Sequence, residues 1–380
     1  MATEAAPARP GRSTRYALVD CDVHPHLKSG LGDLMPYLPG GWRRRLGVGQ
    51  DEAWAKEIYA SRFSLPHNVM YINPAGVVRR DALTPDGARP ASDPAAVRSQ
   101  LLDEWGIDRA VLIGGDVFGL GALPDADLAA VVAAAYNDWL CERWLAFDER
   151  FRATLVVGCQ DPAQAAREIA RTGDRPGVVG VFLPLTNVLM GERHYWPIYE
   201  AAAERGLPIV LHPNSVDGVY SRGPQLAGGV FTYYTEWHTA LTQIFQASLI
   251  SLVCQGVFER YPQLKLVVAE GGFAWLPDVL WRLDKDWRAL RSELPWLKRP
   301  PSEYVFDHVR FTTQPIPEPV RPEHLRSICE IVQASRTLLF SSDYPHWDFD
   351  SPLRALDALD EPTRERVRAA NAEEVFGSRL

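Results

Sequence analysis

Two imidazoles lie two residues apart in Asp20-Cys21-Asp22-Val23-His24-Pro25-His26. Side chains alternate along an extended chain, so His24 and His26 are expected on one face, where both can grip one ion. His212 closes a second apolar run, LPIVLHPNS, and Asp343 closes a third, LLFSSDYPHWD. Three imidazoles and one carboxylate at the carboxyl ends of apolar runs suit a divalent cation, Zn²⁺ first and Mn²⁺ or Fe²⁺ next. The chemistry such an ion serves is activation of water or polarisation of a substrate carbonyl or carboxylate.

Ligands so far apart in sequence need a scaffold that brings strand ends together. Eight short β-rich runs are spread along the chain at 16–22, 109–114, 152–158, 178–183, 208–212, 265–269, 308–312 and 337–342. Several are continuously apolar, as parallel strands buried on both faces require. Helical patterns cover 123–149, 162–172, 196–205, 238–260, 273–290 and 322–334 between them. Alternating strand and helix with eight strands predicts an α/β fold of the (β/α)8 TIM-barrel type, with a doubly wound open sheet as the alternative. Two stretches exceed the minimal repeat, 27–96 after the first strand and 213–236 after the fifth. Loops after barrel strands lie on the face that carries chemistry, so these insertions are expected to wall or cover the pocket.

Beyond spacing, the wording of the motifs resembles one family. DVHPH, LLDEWGIDRAVL, GVFLPL, LPIVLH, GVFERYPQLKLVVAEGG and FSSDYPHWD together are similar to the amidohydrolase-related metal-dependent barrels. That branch includes aminocarboxymuconate semialdehyde decarboxylase and aromatic-acid decarboxylases. The resemblance runs from about Leu18 to about Phe376. It implies that His24, His26, His212 and Asp343 hold the metal, that the reaction is C–C lysis or hydrolysis of a small molecule, and that the protein is a homodimer. One departure stands out. Where the decarboxylases carry a histidine after the sixth strand, this chain has Ala269-Glu270-Gly271-Gly272. Glu270 can move a proton if its surroundings give it a suitable pKa. His238, in TYYTEWHTAL, is the nearby alternative, and Asp343 can itself take a proton on the oxygen that does not face the ion. His346 is expected either to orient Asp343 or to meet the substrate. Arg79 and Arg80 are candidates for gripping a substrate carboxylate, and Trp275 for bordering the pocket.

Composition removes other classes. The 48 acidic side chains exceed the 40 basic ones, and no basic stripe interrupts them, which excludes nucleic acid and anionic membrane as partners. Five scattered cysteines without CxxC spacing fit a reducing compartment, and the cytoplasm is expected. Residues 1–14 read as a disordered tail and 15–380 as a single domain. A barrel that binds without catalysing is the competing class.

Overall fold

The apolar runs pair in the order in which they occur. The computed structural model describes residues 15–45, 78–213 and 231–380. Within them eight parallel strands form one sheet: β1 Val19–Val23, β2 Arg109–Leu112, β3 Phe151–Val156, β4 Val178–Phe182, β5 Ile209–Leu211, β6 Leu266–Val268, β7 Val309–Thr312 and β8 Leu338–Leu339. β8 is only two residues long, and bonds beyond its ladder close the sheet. The amide of Cys21 donates to the Phe340 carbonyl at 2.9 Å, and that of His24 to Tyr344 at 2.8 Å. Ser342 donates twice to the Asp20 carboxylate, at 3.0 Å from its amide and 2.5 Å from its hydroxyl. The result is a (β/α)8 barrel, and the open doubly wound sheet is ruled out.

The longer helices are α1 Ala126–Leu140, α2 Pro162–Thr172, α3 Trp196–Glu204, α4 Tyr234–Ala240, α5 Thr242–Cys254, α6 Leu276–Ala289, α7 Pro301–His308 and α8 Pro322–Ile331. Asp125 and Asp161 start α1 and α2 by accepting backbone N–H groups of their first turns. The helix predicted over 238–260 is broken into α4, α5 and a short turn Val257–Arg260. The last break falls at Gly256, whose φ of +73° no helical residue adopts. The earlier break is the single residue Leu241, whose φ of −58° and ψ of −25° stay in the helical region.

Strand burial is almost complete, which is why these runs are apolar throughout and do not alternate. Of the insertions expected after β1 and β5, residues 46–77 and 214–230 lie outside the described residues. Residues 1–14, read in the sequence as a tail, lie outside the described residues.

Candidate functional site

Four side chains at strand ends offer donor atoms all within 4.8 Å of one another: Asp22, His24, His212 and Asp343. Asp22 and His24 come from the end of β1, His212 follows β5 and Asp343 follows β8. The strand explains the membership. β1 ends at Val23, so Asp22 lies within the strand and His24 just past its end, two residues on. His26 is buried, its Nδ1 lies 3.0 Å from the Pro90 carbonyl, and it is not gathered with the four. Asp22 joins the donors without having stood out in the sequence, although its Asp-x-His spacing carries the same signal as His24-x-His26.

Proton positions follow from the partners. His24 Nδ1 lies 3.0 Å from the Ile113 carbonyl and His212 Nδ1 2.7 Å from that of Pro213. A carbonyl only accepts, so each Nδ1 carries a proton and each ring turns its Nε2 to the pocket. Burial pushes the His24 imidazole down to about 4, which keeps it neutral. Yet its Nε2 lies 2.8 Å from Asp343 Oδ1 and 3.2 Å from Asp22 Oδ1, and His212 Nε2 lies 3.6 Å from Asp22 Oδ2. Acceptors facing acceptors repel unless a cation or proton sits among them. Both oxygens of Asp22, Oδ2 of Asp343 and Nε2 of His212 are buried without a hydrogen-bond donor. Burial pushes Asp22 and Asp343 well above the usual carboxylate range, and nearby carboxylates add to it. A divalent cation resolves all of these at once, so the residues fit the group.

The surrounding residues hold these donors in place. His346 Nδ1 donates to Asp343 Oδ1 at 2.7 Å, and its ring stacks on His24 with centroids 4.5 Å apart. Phe118, after β2, stacks on His212 at 4.2 Å and walls the pocket. Gly115 leaves room for the imidazoles, since a Cβ there would stand 2.7 Å from His26 Nε2 and 3.3 Å from His24 Cβ. Glu270 and Asp343 have φ of +50° and +60°, a region that costs non-glycine residues about 1–3 kcal/mol and is often held at functional sites. In both cases the turn swings a carboxylate back over the barrel mouth.

Family comparison agrees with this architecture. The model of the family described as amidohydrolase matches residues 19–378. The chain belongs to the amidohydrolase family. Among its relatives is a gamma-resorcylate decarboxylase of Polaromonas sp., 27% identical over 295 residues, which are 73% of this chain and 86% of that one. An amidohydrolase of Mycobacterium avium subsp. paratuberculosis K-10 shares the fold with a TM-score of 0.69 at 20% identity, over 96% of this chain and 100% of that one. So does a 5-carboxyvanillate decarboxylase of Novosphingobium aromaticivorans, solved with manganese and 4-hydroxy-3-methoxy-5-nitrobenzoic acid. Its TM-score is 0.66 at 22% identity, and the match covers 97% and 98% of the two chains.

Glu270 is where this amidohydrolase departs from the histidine expected after the sixth strand. Its Oε2 lies 3.0 Å from His212 Nε2 and its Oε1 3.7 Å from His238 Nε2. Burial raises this carboxyl, but the two imidazoles outweigh it and hold Glu270 below the usual range. His238 also faces Asp348 Oδ2 at 3.4 Å. Burial lowers this imidazole, and the two carboxylates more than reverse that, to about 10. Asp348 escaped the sequence reading because it lies five residues beyond Asp343 in an irregular loop.

The substrate-side expectations fare differently. The Arg79 fork is taken by Asp81, at 3.0 and 2.7 Å, and lies over the Phe349 ring. Arg80 is exposed at the start of the turn Arg80–Ala82. Trp275 donates to the Gly271 carbonyl at 2.9 Å and packs edge-on to Phe311, which ties it to the β6–α6 turn. Arg89, passed over in the sequence, pairs with Asp116 at 2.6 Å; burial lowers the His26 and His346 imidazoles, and the Arg89 charge adds to it.

Proposed function

We propose that this chain is a metal-dependent, non-oxidative decarboxylase of a small aromatic or unsaturated carboxylic acid. The observation that carries the reading is the Asp22, His24, His212 and Asp343 donor set at the carboxyl ends of barrel strands. The bound cation would supply a Lewis acid for a substrate oxygen. Two carboxylates beside two imidazoles suit Mn²⁺ as well as Zn²⁺, and manganese is what the 5-carboxyvanillate decarboxylase structure contains. We assign Mn²⁺.

Decarboxylation breaks a C–C bond, releases CO₂ and leaves an electron pair on carbon that must take up a proton. Asp343 suits that delivery. Its Oδ1 accepts from His346, and its Oδ2 has no donor. Glu270 and His238 flank the same space and set its charge. Arg89 is the guanidinium we assign to a substrate carboxylate, in place of Arg79. Phe118 and the exposed edge of Trp347 supply aromatic walls.

Glu270 favours a second reading, hydrolysis of an ester, amide or lactone, because a carboxylate in place of imidazole suits a base acting on water. A panel of hydroxylated benzoic and dienoic acids assayed for CO₂, run beside lactones and amides assayed for proton release, separates the two. Response only in the second panel would overturn the first reading. The five cysteines are all unpaired, which supports a reducing compartment, and we place the protein in the cytoplasm. No described helix is long and apolar enough to cross a membrane. The family resemblance supports a homodimer, which light scattering of the purified protein tests.

A further inference from the structure

Beside the first donor set lies a second one that it does not absorb. His238, Glu270 and Asp348 offer donor atoms all within 4.8 Å of one another, drawn from α4, the end of β6 and the loop after β8. Two carboxylates face a single nitrogen, His238 Nε2, at 3.4 Å for Asp348 and 3.7 Å for Glu270. Both separations are too long for good hydrogen bonds, and this buried nitrogen has no hydrogen-bond partner. A proton relay through imidazole would engage its two nitrogens with different partners, and here both acids crowd one. Donors about 2.1 Å from a common ion at a tetrahedral angle lie roughly 3.4 Å apart, which is the spacing found.

The cluster is also braced as a site. Gln314, at the end of β7, donates through Nε2 to Asp348 Oδ2 at 3.0 Å and to the Asp348 carbonyl at 3.4 Å. The Tyr234 ring stacks on His238 with centroids 5.3 Å apart, and Trp347 donates to the Tyr234 hydroxyl at 3.2 Å. An orienting amide behind a carboxylate and an aromatic against an imidazole are the supports that metal ligands use.

The geometry points to a second divalent-cation site formed by His238, Glu270 and Asp348, with Glu270 bridging it to the first through Oε2 toward His212 and Oε1 toward His238. The substitution of glutamate for histidine after β6 then has a structural meaning. An imidazole has no pair of adjacent oxygens with which to bridge two neighbouring ions, whereas a carboxylate does. The inference rests on the proposed function only in taking the first donor set to hold its own ion. A two-ion centre suits clamping a water or a substrate oxygen between metals, so occupancy of both sites favours the hydrolytic reading.

Equilibrium dialysis of the full chain against Mn²⁺, read by elemental analysis, tests this directly. Two equivalents are expected for the wild type. Asp348→Asn and His238→Gln are expected to bind one, and Asp22→Asn is expected to lose the other. Low-temperature electron paramagnetic resonance of the fully loaded wild type is expected to give the signature of exchange-coupled Mn²⁺ pairs, absent in Asp348→Asn. One equivalent in the wild type overturns the second site and leaves the first intact, with His238 then a protonated partner of two carboxylates. Zero equivalents overturns both. Retention of two equivalents by both Asp348→Asn and His238→Gln also overturns the assignment. The wild-type stoichiometry decides even where a variant fails to fold.

Discussion

At the scale of single residues, the contrast between Asp22 and His26 is the sharpest lesson. Both stand two residues from His24, Asp22 within β1 and His26 beyond its end, and only Asp22 is gathered with it at the donor set. Asp22→Asn should weaken Mn²⁺ binding by about 100-fold or more, since even supporting residues around a metal typically contribute 10–100-fold. His26→Ala should keep a full equivalent, because its ring is not gathered with the four donors. A competitive chelator titration measures both, and loss of the metal in His26→Ala would restore the imidazole pair as ligands. Asp20 gives a pH prediction. Burial raises its pKa from 3.8 to about 6, although two bonds from Ser342 pull the other way. The folded state therefore binds more protons than the unfolded state between those values, and stability falls as pH rises through them. The full shift corresponds to a penalty on the order of 3 kcal/mol above pH 6. Asp20→Asn should recover part of it at pH 7.5 and nothing at pH 4, which urea denaturation at the two pH values reads out.

Secondary-structure elements were legible to different degrees, for physical reasons. All eight strands were found because a parallel barrel strand is an unbroken apolar run between turn residues. The long predicted helix over 238–260 was wrong in its continuity, since hydrophobic periodicity persists through Gly256 and through the α4–α5 break. His238 stands on α4, so the part of the site least visible in the sequence belongs to the misread element. Asp348 and Arg89 lie in loops with no periodicity to read, whereas His24, His212 and Asp343 sit at strand ends and could be placed by counting. A contact between elements also supplies a prediction. Gly191, after β4, donates its amide to Ser251 Oγ on α5 at 3.1 Å, and a Cβ there would stand 2.2 Å from the Ser251 carbonyl oxygen. Gly191→Ala must move backbone, and should cost about 3 kcal/mol. Thermal unfolding measures it, and an unchanged midpoint would mean that the β4 loop yields freely.

For the whole molecule, ligand binding and folding are linked. An ion present at 100 times its dissociation constant adds about 2.7 kcal/mol to stability if the unfolded chain does not bind it. Chelator treatment should therefore lower the unfolding midpoint by several degrees, and Mn²⁺ should restore it. The barrel indicates where that coupling is spent. Its shortest strand is β8, and the join between β8 and β1 depends on a handful of bonds around Cys21, His24 and Ser342. Asp22 and His24 stand on one side of that join and Asp343 on the other, so an ion held by all three works as a clasp on the weakest seam of the wall. Metal removal should then speed deuterium exchange at the amides of Cys21 and His24 well before those of the β3–β4 ladder. Equal acceleration everywhere would mean that the ion stiffens the barrel as a whole. A localised response would make the joint between the first and last strands the place where this enzyme opens when its metal leaves.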